Sequence, residues 1–159
     1  MADDTLTRTL DGATDEQNDE VAQLRVSVSS SEPTFVRRVE AKFTSLGALR
    51  ADLRLWLESV DVGRDEIDDV LVAVGEAVTN AIEHGHRQDG RTIGFEARRR
   101  EGEIELIVDD NGTWQAPRSE DSDSDRGRGI LLMRQLMDDV LLEPGSAGTK
   151  VRLRKTLTR

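Results

Sequence analysis

The chain has no cysteine and no tyrosine, and only three prolines, three phenylalanines and two tryptophans in 159 residues. Without cysteine it can form neither a disulfide framework nor a thiolate metal site, and His84 and His86 alone are too few to hold zinc. So few rings leave little surface on which bases could stack, which argues against single-strand nucleic-acid binding. Positive charge is short as well. The 22 Lys and Arg face 32 Asp and Glu, a formal net charge of -10 with a pI near 4.7, whereas neutralising phosphates along a nucleic acid takes basic residues in excess. The expected partners are therefore a protein or a small molecule. No apolar run is long enough to cross a membrane or to serve as a signal peptide, so the cytoplasm is the expected compartment.

The acidity is uneven. Asp3, Asp4, Asp11, Asp15, Glu16, Asp19 and Glu20 stand against Arg8 alone, so residues 1–24 carry six of the ten net negative charges and little apolar periodicity. They read as a flexible acidic tail, and residues 25–159 as a single domain. Leu24, Val26 and Val28 alternate briefly, enough for an edge strand.

The best-formed stretch runs from Asp65 to His86. Ile67, Val70, Leu71, Val74, Val78, Ala81 and Ile82 recur at steps of three and four, the spacing of one buried helical stripe. Glu76, Asn80, Glu83 and His84 fall along one polar edge of the same helix. Asn is a poor helix former, and nothing in local propensity asks for one at position 80. A neutral amide oxygen one turn from a carboxylate suits magnesium, which takes one or two hard protein oxygens and leaves the rest to phosphates and water. Glu76 could then orient or deprotonate a nucleophile. The competing reading is a solvated face with an incidental Asn.

Before this helix, Phe35 to Phe43 is strand-like, Thr44 or Ser45 can cap a following helix, and Leu46, Leu49, Leu53, Trp56, Leu57 and Val60 keep helical spacing until Gly63. Trp56 lies on that apolar stripe and belongs to the core. After the central helix, Thr92 to Arg100 and Glu103 to Asp110 alternate as strands joined at Glu101 and Gly102. Ile104, Leu106 and Val108 share a face with Asp110, so this carboxylate points inward and needs a donor, such as a ligand amino group; the alternative is an Asp that caps the turn at Asn111 and Gly112. Residues 113–126 are polar and loop-like. Gly127 and Gly129 then lead into an apolar helix running to about Asp139, and Arg126 and Arg128 beside them make an anion such as phosphate a natural occupant of the helix start. Val140 to Glu143 and Thr149 to Leu153 form a closing hairpin.

In order, the chain presents Glu76-x-x-x-Asn80-Ala81-x-Glu83-His84 on a helix, Asp110-x-Gly112 after a strand, Gly127-x-Gly129 opening a helix and Gly148-Thr149 on a late strand. This series resembles the ATP-binding domain shared by gyrase, histidine kinases and MutL proteins, the GHKL or Bergerat fold. Through GEAVTNAIEHGH, VDDNG and RGRGILLMRQLMDDV it is most similar to the RsbW-like anti-sigma-factor serine/threonine kinases, over roughly Phe35 to Thr156. The resemblance implies an α/β two-layer sandwich, with a mixed, mostly antiparallel sheet covered on one face by three helices. It implies ATP and magnesium as cofactors, with Asn80 holding the metal and Glu76 as general base on a protein hydroxyl. Asp110 and Gly112 would receive the adenine with Thr149 in support, while Arg126, Gly127, Arg128, Gly129 and Ile130 would border the phosphates beneath a polar lid. It further implies an anti-sigma-factor antagonist as protein substrate, a sigma factor as second partner, and a homodimer. Trp114 stands where the family often has a second glycine, which puts lid stiffness and ATP affinity in question. The alternative function is a non-catalytic regulator that binds nucleotide, sigma factor or antagonist and works by sequestration. The catalytic half of a histidine kinase fits less well, because the tail is too short and too polar to form a phosphoacceptor helical hairpin.

Overall fold

Period-two alternation produces the strands, and each pairs so that its apolar residues fall on one side. The computed structural model describes residues 25–27, 32–84, 91–110, 125–145 and 148–158, with backbone alone at 25–27, 84, 125 and 126; the expected tail lies outside them. The elements are β1 (Arg25–Ser27), β2 (Thr34–Glu40), α1 (Phe43–Ser59), α2 (Arg64–His84), β3 (Thr92–Arg100), β4 (Glu103–Asp109), α3 (Asp125–Leu136), β5 (Asp139–Gly145) and β6 (Gly148–Thr156). The strands form one six-stranded sheet in the order β1-β2-β3-β4-β6-β5. Every pairing among the described residues is antiparallel.

Register aligns the inward residues across the strands: Phe35 faces Ala97, Ala97 faces Leu106, Leu106 faces Leu153, and Val108 faces Val151. All are buried, and the helices pack against this side. The other side carries alternating charge, with Glu105 near Arg100 at 3.2 Å and Arg152 at 3.8 Å, and Arg154 near Asp139 at 3.4 Å. Arg154 and Asp139 form an exposed pair that contributes little stability, whereas Glu105 is buried between Arg100 and Arg152, which compensate its charge. Trp56 belongs to the core as expected, with its ring centroid 5.8 Å from that of Phe35, which in turn meets Phe95 edge-on.

Several boundaries differ from the sequence reading. The strand beginning near Phe35 ends at Glu40, and Phe43 opens α1 with its ring exposed. The N-cap is Lys42, which makes no side-chain capping bond, so neither Thr44 nor Ser45 caps this helix. Nor does Gly63 end α1. The turn is made at Asp61, in the left-handed region at φ 57, where the Asp61 N–H donates to the Glu58 carbonyl and the Val62 N–H to the Leu57 carbonyl, a paired closure of the last helical turn. Gly63 instead begins α2, its carbonyl accepting from the Ile67 N–H at 2.9 Å. The short alternation around Val26 does form an edge strand, with Val26 opposite Phe35.

On α2, Ile67, Val70, Leu71, Ala73, Val74, Ala77, Val78, Ala81 and Ile82 are all buried. Full burial of a Val, Leu or Ile side chain is worth about 1.5–3 kcal/mol, so packing rather than propensity holds this helix, and it tolerates Asn80. Its first turn is fixed by Glu66, whose carboxylate accepts from the Gly63 N–H at 3.0 Å and from the Thr158 N–H and hydroxyl at 2.6 and 2.5 Å. The hydrogen bonds from Thr158, with those from Gly63 and the charge of Lys155, outweigh burial and hold the Glu66 carboxyl below its ordinary 4.5. The ionised form is the one the fold favours. This stabilisation is therefore present above the unfolded-state pKa and is lost as pH falls through the depressed folded value. We expect Glu66→Gln to cost about 1–2 kcal/mol at neutral pH, since charge-assisted bonds become neutral ones. In urea unfolding the gap to wild type should narrow as pH falls below the ordinary carboxylate range and through the depressed folded value; a gap that persists unchanged contradicts this account.

Candidate functional site

The elements that carry the singled-out residues end at one side of the sheet. At the far side, Glu66 meets Thr158 and Asp69 meets Lys155 at 2.9 Å, which pins the start of α2 to the end of β6. The helix rises about 1.5 Å per residue and the strand about 3.3 Å. Asn80 therefore lies about 16 Å from that anchor along α2, and Thr149 about 20 Å from it along β6, toward the same end of the molecule.

Asp110 follows β4, and the β4–β6 ladder continues one step past Asp109 and Lys150: the Asp110 N–H donates to the Thr149 carbonyl at 3.0 Å. In return the Thr149 N–H donates to Asp110 Oδ1 at 3.4 Å. Asp110 is 4% exposed while Asp109 is exposed near Lys150, so strand parity does send the first inward and the second outward. Thr149 is as deeply buried as Asp110, and among the described residues its hydroxyl Oγ1 has no hydrogen-bond partner. An unmatched buried hydroxyl beside a buried carboxylate is costly in an apolar setting and suits a polar ligand edge.

The opposite wall is made where α3 meets α2. Gly129 is buried, and a Cβ at that position would stand 2.7 Å from Glu76 Oε2 and 3.7 Å from both side-chain heteroatoms of Asn80. A methyl at this position would force the Glu76 carboxylate, the far end of a flexible side chain, to move aside. The glycines do not precede α3, as the sequence suggested. The helix begins at Asp125 and takes both into its opening turns, because the close approach to Glu76 is made helix against helix. Its first-turn N–H groups have no intrahelical acceptor and give that end a partial positive charge. The helix also stops earlier than expected, at Leu136, and Asp139 already belongs to β5.

The structure thus brings Glu76, Asn80 and Gly129 into direct proximity and joins Asp110 to Thr149; the first group lies on the last turns of α2, and the second stands beside Gly94 near the start of β3, the element that follows α2. Gly127 is half-buried, Arg128 exposed, and Ile130 partly buried against the core. Arg126 is the second residue of α3, with its backbone alone described; Gly112, Trp114, His86 and the polar loop before α3 lie outside the described residues, as does the turn that Asp110 would otherwise cap. Among the described residues no group of three His, Cys, Asp or Glu could hold a metal ion. A divalent cation here would take most of its oxygens from phosphates and water. Sequence reasoning missed Asp69, Lys155 and Thr158, the far-end anchor. The one legible signal was Glu66 three residues after Gly63, a capping pattern with glycine in place of the usual Ser or Thr.

Residues 39–155 match the family described as "Histidine kinase-like ATPase domain". An anti-sigma F factor of Clostridium botulinum is 34% identical over 118 residues, 67% of this chain and 82% of that protein. The serine-protein kinase RsbW of Bacillus licheniformis is 30% identical over 134 residues, 75% of this chain and 83% of that one. Among solved structures, the RsbU and RsbW domains of a Mycobacterium tuberculosis protein match with a TM-score of 0.63 at 25% identity, over 80% of this chain and 32% of the longer one.

The contact at Gly129 separates stability from binding. Gly129→Ala is expected to keep the melting temperature or raise it by a few degrees, since Ala is the better helix former by about 1 kcal/mol. It should weaken ATP binding roughly fivefold or more, because the new methyl crowds Asn80 and the space beside it. Wild-type affinity in this variant, read by isothermal titration, would contradict the arrangement.

Proposed function

Because this chain belongs to the histidine kinase-like ATPase domain family, we propose that it is an ATP-dependent protein serine/threonine kinase. In this reading it acts as an anti-sigma factor and phosphorylates its antagonist in a partner-switching pathway. The observation that carries the proposal is the meeting of Glu76 and Asn80 with the glycine-bearing start of α3, above the sheet end that holds Asp110 and Thr149. These residues fit a nucleotide. The unmatched Thr149 hydroxyl and the adjoining Asp110 carboxylate suit the polar edge of adenine, where a carboxylate accepts from an amino group. The space kept clear by Gly129 adjoins the amide oxygen of Asn80, a hard donor for magnesium, beside the Glu76 carboxylate that would serve as base. When bound, magnesium would neutralise charge developing on the phosphates.

The roles of the residues follow from their chemistry. Asp110, locked by the Thr149 amide, selects and orients the base. Asn80 offers its amide oxygen to the metal. The open N–H groups of α3, with Arg128 and Arg126, border the phosphate chain. Glu76 takes the proton from the incoming Ser or Thr hydroxyl as that oxygen bonds to the γ-phosphorus and the bond to the ADP oxygen breaks. Most of the acceleration comes from positioning and charge neutralisation. Residues 25–159 form the one ATP-binding domain of this proposal, which works in the cytoplasm as a homodimer. A sigma factor is the second protein partner, and the acidic balance of the chain supports protein rather than nucleic-acid contacts.

Isothermal titration beside a radiolabel assay with candidate antagonists tests these roles. Glu76→Ala should keep ATP binding and lose transfer by at least ~100-fold, whereas Asp110→Asn should weaken ATP itself by about tenfold, the scale of one charged hydrogen bond. Intact transfer by the Glu76 variant removes the base assignment. A wild-type chain that grips ATP and antagonist yet never labels the antagonist is instead a sequestering regulator.

A further inference from the structure

Lys155, far from the site, holds two helices at once. Near the end of β6 its Nζ donates to Asp69 Oδ2 on α2 at 2.9 Å and to the Leu136 carbonyl of α3 at 2.7 Å. The side chain is only 17% exposed, and two of its three N–H donors are committed. Leu136 is the last residue of α3, so the ammonium satisfies a carbonyl with no intrahelical partner and sits at the negative end of the helix. Apart from this tie, α3 packs chiefly against α2, with Met133 and Met137 buried beneath it and little contact with β5.

We infer that Lys155 is a positioning residue for the site at the other end, setting the angle between α2 and α3 and hence the approach of Gly129 to Glu76 and Asn80. Leu136 and Gly129 are about 10 Å apart along α3. A swing of roughly 10° about a loosened far end would therefore move Gly129 by about 2 Å, against a would-be Cβ clearance of 2.7 Å at Glu76. A shift of that size takes the α3 N–H groups out of line with a ligand held by α2 and β4. The same strand carries Thr149 at its near end, so β6 serves as the common ruler for all three walls. The far side has its own fastening for α2, Glu66 with Thr158, and just past α3 Asp138 is held to β6, its N–H donating to the Arg154 carbonyl at 2.9 Å and its carboxylate accepting from the Thr156 N–H at 2.6 Å; among the described contacts, Lys155 is the polar tie that joins this end of α3 to α2.

This inference rests on the nucleotide reading of the site, and the test separates the two. Isothermal titration with magnesium and ATP is run on wild type, Lys155→Met, which keeps the apolar stem, and Lys155→Arg, which can still reach both acceptors. Hydrogen exchange of the α3 opening-turn amides is measured in parallel without nucleotide. Lys155→Met should bind with a stoichiometry equal to wild type but about tenfold weaker, and its residues 127–131 should exchange at least severalfold faster; Lys155→Arg should recover most of both. A purely structural role would lower the fraction of binding-competent molecules at unchanged Kd and so overturns the inference, as does wild-type behaviour of Lys155→Met in both readouts. Failure of the wild-type chain itself to bind ATP overturns the nucleotide reading, and the inference with it.

Discussion

The site depends on a side chain that is not there. At Gly129 the backbone of α3 lies against the carboxylate of Glu76 and the amide of Asn80, a separation that even a methyl group would close. Two helices normally keep 8–10 Å between their axes because side chains fill the gap. Removing one lets the Glu76 carboxylate and the Asn80 amide of α2 stand against the opening turns of α3. Carboxylate, amide oxygen and helix N-terminus are chemically distinct, and a phosphate with its cation is the kind of ligand that uses all three.

What keeps that meeting point in place lies at the other end of the fold. Glu66, Asp69, Lys155 and Thr158 tie α2, α3 and β6 together at one end, while Asp110 and Thr149 join β4 to β6 at the start of β6. Between the two lies the buried stripe of α2, dense enough in Val, Leu, Ile and Ala that the helix can carry an Asn for its function at little risk to its stability. Stability and chemistry are thus separated along one helix. Its inner face and first turn hold the fold, and its outer edge near the C-terminal end carries Glu76 and Asn80 against Gly129.

The sequence made the inner faces legible because burial enforces periodicity. The stripe of α2, the alternation that turns Asp110 inward, and the closing hairpin all follow from residues that must avoid water. Ends were less legible. Lys42 caps α1 without a side-chain bond and Asp61 turns the chain in a conformation usually left to glycine, so neither carried a usual signature. The placement of Gly127 and Gly129 inside α3 was obscured for the same reason, since glycine in a sequence signals a break, and only the neighbouring helix shows that one of them is there for proximity. The Lys155 tie joins residues distant in sequence through a main-chain carbonyl, a contact that no local pattern encodes. The family resemblance, carried by four spaced motifs, supplied the order of the site residues; the geometry supplied which of them touch.

The central claim is that α2, the start of α3 and the ends of β4 and β6 enclose one ligand rather than two unrelated features. Its most direct test is a titration of the isotopically labelled protein with magnesium and a non-hydrolysable ATP analogue, following the amide signals of Asn80, Asp110, Gly129 and Thr149. The account predicts that all four shift together along a single binding curve. Shifts at Gly129 and Asn80 that leave Asp110 and Thr149 unmoved, or that follow a different curve from theirs, would contradict it.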